Sequence, residues 1–217
     1  MKSQFLRRWS MRALPAIGIM IIFLFTFLTN LNAQTMSVKN VVLVHGAFAD
    51  GSGWKGIYEI LSKKGYNVVI VQNPLSSLED DVAATNLALD KIDGPAILVG
   101  HSWGGAVITQ AGVHPKVAGL VYVAAFQPDV SESAFTWFSS MPPVAENGVL
   151  PPDEKGYVYY SKEKYHAGFC ADVSKSESDF MYASQGAFAG KSFATPLTQI
   201  AWKSKPSFAV LATEDKS

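Results

Sequence analysis

Disulfide chemistry is the first thing this chain lacks: its 217 residues contain one cysteine, Cys170. A single thiol excludes an intrachain disulfide framework and reads as a partly buried side chain. It does not decide the compartment, because an exported protein can simply lack cysteines. Excess charge of either sign is also absent, since 18 Lys and Arg balance 18 Asp and Glu. Without a basic stripe, nothing recommends a nucleic-acid partner. Only four histidines are present, and no His/Asp/Glu cluster has ligand spacing. No metal and no cofactor is therefore implied.

What is present describes one α/β-sized domain: 48% of the residues are hydrophobic and 17% charged. That is enough chain for a sizeable core. The N-terminus speaks to compartment. Lys2, Arg7, Arg8 and Arg12 form a basic region, residues 13–28 are almost wholly apolar, and Leu31-Asn32-Ala33 is a tolerable cleavage site. This three-part plan predicts a secretory signal peptide over residues 1–33, a mature domain over 34–217, and a secreted or periplasmic protein. The competing reading is an uncleaved membrane anchor. Against it, the apolar run falls short of the ~20 residues a span prefers and contains Pro15 and Gly18.

From Val38 onward strand and helix signals alternate. Residues 41–44, 68–71, 96–99 and 117–123 read as buried strands. Trp54, Ile57, Tyr58 and Leu61 mark one apolar helix face, which Gly65 closes with a left-handed cap. Ser76 with Glu79 predicts a capping box opening a helix that runs to about Ile92. A further helix leaves Gly105 and stops near His114-Pro115. Repeated βα units with near-continuous apolar strands predict an α/β fold, a mostly parallel sheet with helices on both faces. Over residues 127–205 the rhythm breaks, with Pro142-Pro143, Pro151-Pro152 and many aromatic residues. A stretch this long between core strands predicts a cap insertion roofing an apolar cavity. Within it Ser174 and Glu177 start a helix with Phe180, Met181 and Phe188 on its apolar side. Residues 207–212 return as a strand, followed by Thr213-Glu214-Asp215.

One junction carries chemistry. Gly100-His101-Ser102-Trp103-Gly104 lies where a strand turns abruptly into a helix. Gly-x-Ser-x-Gly in that context is a nucleophile elbow: the serine takes a strained backbone so that its hydroxyl projects above the sheet. The flanking glycines let strand and helix approach closely.

With Val41-Val-Leu-Val-His45-Gly46 before it and Leu211-Ala-Thr-Glu-Asp215 after it, the chain resembles the α/β-hydrolase superfamily. More narrowly, it is similar to compact bacterial α/β-fold hydrolases related to plant methyl-ester esterases and hydroxynitrile lyases. The resemblance implies Ser102 as nucleophile, forming an acyl-enzyme with a small-molecule ester. It implies backbone oxyanion donors at Trp103 and Ala47, and Asp215 as the acid that orients a histidine. Asp129 occupies a position some members use for that acid and stays open as the alternative. Asp153, Asp172 and Asp179 read as solvated surface charges.

The family's catalytic histidine follows the acid by some tens of residues, and this sequence ends at Ser217. Among the histidines present, His101 should point away from Ser102, His45 should brace the oxyanion loop, His114 lies far from the strand ends, and His166 lies in the insertion. The expectation is an incomplete copy of a longer hydrolase, lacking its last strand, histidine and helix, and inactive for want of a base. Two other functions stay open: a hydroxynitrile-lyase-like carbon–carbon lyase, and a non-catalytic ligand-binding protein on the same fold. Trp103 weighs against the lyase, whose branch usually places a cysteine after the nucleophile. No stable membrane association is expected once the signal is cleaved.

Overall fold

Runs of Val, Ile and Leu bury the inner strands, and five strands pair in parallel in the order 67–71, 40–44, 96–102, 117–125 and 207–210, the last of them mostly exposed. The computed structural model describes residues 37–142, 144–213 and 215; the predicted signal peptide over 1–33 lies outside the described residues. In chain order the sheet strands are β1 (Asn40–Val44), β2 (Asn67–Val71), β3 (Ala96–Ser102), β4 (Val117–Ala125) and β7 (Ser207–Val210). Helices α1 (Lys55–Lys63), α2 (Leu78–Lys91) and α3 (Trp103–Ala111) connect the first four. Residues 127–205 carry α4 (Ala134–Phe138), a short antiparallel pair of β5 (Tyr157–Val158) and β6 (Phe188–Ala189), and helices α5 (Lys162–Lys164), α6 (Lys175–Ser184) and α7 (Gly190–Ala194). Among the described residues no helix is long and apolar enough to cross a membrane.

Each face of the sheet has its own core. On one, Val42, Val44, Leu98, Leu120 and Tyr122 pack with Leu78 and Leu89 of α2 and Ala106, Val107 and Ile108 of α3. On the other, Val41, Leu43 and Trp54 pack with Leu61, Val68 and Ile70. Helices thus cover both faces, as the strand pattern predicts.

Four local readings need correction. The helix face predicted from Trp54, Ile57, Tyr58 and Leu61 is not fully buried: Ile57 and Tyr58 are each 43% exposed. Helix α1 packs on β2 at one side of the sheet, so only the Trp54 and Leu61 side meets the core. The capping box shifts by one residue. Ser77, not Ser76, is the N-cap of α2, its hydroxyl accepting from the Asp80 N–H at 3.0 Å. The shift follows from Leu75, which turns with φ +60° and donates its N–H to Asp81 Oδ1 at 2.7 Å. In the insertion, Ser174 caps α6 as read, but Phe188 belongs to β6 and Phe180 faces solvent. The last strand stops at Val210, two residues short of the reading.

Candidate active site

Ser102 ends β3 with φ +50° and ψ −121°, a conformation L-residues avoid, and α3 begins at the next residue. Close packing over-determines that strain. A Cβ on Gly104 would lie 2.5 Å from the Val44 carbonyl oxygen, and one on Gly100 2.5 Å from the Gly104 carbonyl oxygen. Only glycine fits at either side of the serine. On the β4 side a register shift at Ala124, itself at φ +40°, lets the Phe126 N–H donate to the Ser102 carbonyl at 3.2 Å.

The loop after β1 presses directly on this serine, for a Cβ on Gly46 would meet Ser102 Cβ at 2.9 Å. Ala47, next in that loop, is buried. Phe48 follows at φ +60°, and its carbonyl accepts from the Tyr165 hydroxyl at 2.7 Å. A tyrosine from the insertion thus ties down a loop 117 residues away in sequence. Trp103 is the first residue of α3, where backbone N–H groups have no intrahelical acceptor. Its indole is wholly buried and donates to Asp81 Oδ2 at 2.8 Å.

Aromatic rings gather beside the elbow. Phe188 lies edge-on to Trp103, with centroids 5.3 Å apart, and to Phe48 at 5.9 Å. Phe193 contacts Trp103, Phe126, Phe135 and Phe138 in the same manner.

None of the four histidines hydrogen-bonds the Ser102 hydroxyl, nor does any other described residue. His45 has both ring nitrogens engaged: Nδ1 donates to the Gly46 carbonyl at 2.8 Å and Nε2 accepts from the Asn73 N–H at 2.9 Å. That pattern requires the neutral ring, and burial indeed pushes its pKa below the usual value. Asn73 also donates its side-chain amide to the His45 carbonyl at 2.8 Å. His45 therefore braces the loop, as read. His101 points to the opposite sheet face, beside Trp54 with ring centroids 6.4 Å apart. His114 pairs with Asp90 at 3.1 Å, and His166 bonds the Val173 carbonyl at 3.0 Å.

Of the two candidate acids, Asp215 lies near enough to His101 and Tyr160 for its charge to bear on both. Burial lowers the His101 pKa and the Asp215 charge opposes that lowering. Asp129 is held elsewhere, by an ion pair with Lys203 and by the Val130 N–H at 2.7 Å. The lysine hydrogen bond holds its carboxyl below the ordinary range.

Asp81, Asn73 and Tyr165 escape the motif-based reading. A signal for Asp81 is nonetheless present: Leu78, Asp81, Thr85 and Leu89 share the buried stripe of α2. An acid on an apolar stripe is a candidate for a specific partner.

The chain is 33% identical to a pyrethroid hydrolase of Sphingobium wenxiniae over 103 residues, covering 42% of this chain and 37% of that protein. It is 32% identical to a carbendazim-hydrolyzing esterase of a Nocardioides species over 111 residues, covering 44% and 46%. The chain thus matches less than half the length of either relative. Among solved structures, a pyrethroid hydrolase from Sphingobium faniae superimposes with a TM-score of 0.68 at 20% identity, over 83% of this chain and 90% of the other. Polyneuridine aldehyde esterase gives a TM-score of 0.69 at 19% identity, over 83% and 82%. The profile of the alpha/beta hydrolase family matches residues 41–217, a span that takes in the loop after β1, the elbow and Asp215. The chain belongs to the alpha/beta hydrolase family.

Proposed function

We propose that this protein is a serine hydrolase acting on carboxylic esters of small, apolar compounds through an acyl-enzyme. The observation that carries the proposal is Ser102 at φ +50°, raised on the strand–helix junction with the loop of Ala47 against it. In this reading Ser102 Oγ attacks the ester carbonyl, the alcohol leaves, and water later releases the acid. The N–H groups of Trp103 and Ala47 stabilise the carbonyl oxygen as it becomes negative, a contribution usually worth about 10²–10³-fold per donor. The neighbouring rings of Phe188 and Phe193 favour an apolar acyl or alcohol group. Asp215 is assigned as the acid that would orient an imidazole.

Among the described residues none of the four histidines hydrogen-bonds the serine hydroxyl, so none of them is placed to act as its base. Turnover by the chain alone is therefore slow, carried by the oxyanion donors and binding. That same observation favours a second reading, a ligand-binding protein on the hydrolase fold. The two separate on one experiment: with free imidazole supplied as the base, a fluorophosphonate probe labels Ser102 of a hydrolase, and the label vanishes in Ser102→Ala. Absence of label together with saturable binding of an apolar ester supports the binding protein. Export is part of the proposal, and N-terminal sequencing of secreted protein starting near Gln34 is its test.

A further inference from the structure

We infer that Asp81 is a positioning residue of the elbow: its carboxylate holds the Trp103 indole and, through it, the backbone N–H that faces the substrate carbonyl. The inference rests on reading Ser102 as nucleophile and Trp103 N–H as an oxyanion donor. Asp81 is completely shielded from solvent in the core between α2 and α3. A carboxylate there is costly unless donors surround it, and an apolar side chain would fill the space without that cost. Both oxygens are spoken for. Oδ1 accepts from the Leu75 N–H at 2.7 Å and Oδ2 from the Trp103 indole at 2.8 Å.

The two donors close a ring through the insertion. Leu75 is held at φ +60°, and its carbonyl accepts from the Ala189 N–H at 2.9 Å. The neighbouring Phe188 ring packs edge-on against the Trp103 indole. Asp81, Trp103, β6 and Leu75 thus form one closed circuit around the residue after the nucleophile. Trp103 has no freedom to turn without breaking a buried hydrogen bond, and its Cα carries the N–H in question. Burial pushes the Asp81 carboxyl up to about 6, while the Trp103 and Leu75 hydrogen bonds pull it down and Asp80 pushes it further up. The group accordingly sits poised between a carboxylate and an acid that still accepts at one oxygen.

The test is Ser102-dependent acylation of the full chain by p-nitrophenyl butyrate, with Ser102→Ala as background. Asp81→Asn keeps the shape but presents an amide NH₂ to one of the two donors. It should slow acylation about tenfold with KM unchanged, less than outright loss of an oxyanion donor. Trp103→Phe, which removes the indole donor and keeps the backbone N–H, should slow it similarly. The double variant should be no slower than Trp103→Phe, because both changes break one bond. In the ¹H–¹⁵N spectrum, the Trp103 indole signal should move upfield in Asp81→Asn. Wild-type acylation by Asp81→Asn, or losses that simply add in the double variant, overturn the positioning role. Should Asp81→Asn not fold by circular dichroism, Trp103→Phe decides, and acylation at the wild-type rate overturns the role. Acylation of the unsubstituted chain no faster than Ser102→Ala overturns the nucleophile reading and the positioning role with it.

Discussion

Adding one methyl group to the elbow should be far more damaging than its size suggests, and the same methyl on α1 should help. In Gly105→Ala the new Cβ would lie 2.2 Å from the Phe126 carbonyl oxygen, 2.8 Å from Ala125 Cβ and 3.0 Å from the Phe126 nitrogen. Comfortable non-bonded separations start near about 3.5 Å, so α3 and the end of β4 must part by roughly 1 Å. Every neighbour is main chain or a Cβ, and nothing flexible can move aside. The cost should reach about 3 kcal/mol, the upper end of what overpacking usually exacts. Gly56, inside α1, has nothing within 4 Å of its would-be Cβ. Gly56→Ala should therefore gain about 0.5–1 kcal/mol from helix propensity and reduced unfolded-state freedom. Urea unfolding followed by circular dichroism reads both. With a slope near about 2 kcal/mol/M, the midpoint should fall by about 1.5 M for Gly105→Ala and rise by a few tenths of a molar for Gly56→Ala. A Gly105→Ala midpoint within about 0.3 M of wild type would refute the close approach of α3 to β4. So would a slope change that accounts for the whole effect.

Other consequences are equally open to measurement. Tyr165→Phe removes the hydroxyl that ties the Phe48 carbonyl; stability should drop by about 1–2 kcal/mol in urea, and Ser102-dependent acylation should slow with it. Burial lowers the pKa of His45 and His101, so the unfolded chain takes protons near pH 6.5 that the native chain refuses. Stability should fall as pH drops below 6.5 and level off once both native rings have titrated. Asp81 acts in the opposite sense between its ordinary range and about 6, so Asp81→Asn should steepen the acid loss and His45→Gln should flatten it. Free imidazole should accelerate ester cleavage by the chain several-fold above its effect on Ser102→Ala, since it supplies the base that no histidine places at Ser102. Equal acceleration in both proteins would show that Ser102 has no share in the reaction.

Much of the site is legible in sequence because its chemistry is local. The elbow needs glycine at 100 and 104 for steric reasons that any strand–helix turn of this kind imposes. The free N–H of Trp103 follows from its place as the first helical residue. The neutral, bracing role of His45 is only half legible: its position in the loop after β1 suggests bracing, but Asn73, 28 residues on, completes it. The capping box fails by one residue for a similar reason. Ser76 and Ser77 offer the same side chain, and a contact six residues apart, the Leu75 N–H binding Asp81 before the helix starts, selects Ser77. Phe188 defeats a periodicity argument because its ring is claimed by Trp103 and Phe48, from elements far away in the chain.

By itself the sequence determines the parallel α/β sheet and the position of Ser102 on it. Runs of β-branched residues and a Gly-x-Ser-x-Gly turn act over a few neighbouring bonds, and their outcome is the same in any context that buries them. The tertiary structure alone decides which acids and rings gather around the residues next to that serine. It sets Asp81 under Trp103, Tyr165 over Phe48 and Asp215 within electrostatic reach of His101 and Tyr160, while no described histidine hydrogen-bonds the serine hydroxyl. Such contacts join residues tens of positions apart, and their energies depend on burial that exists only once the sheet, its helices and the insertion have packed together.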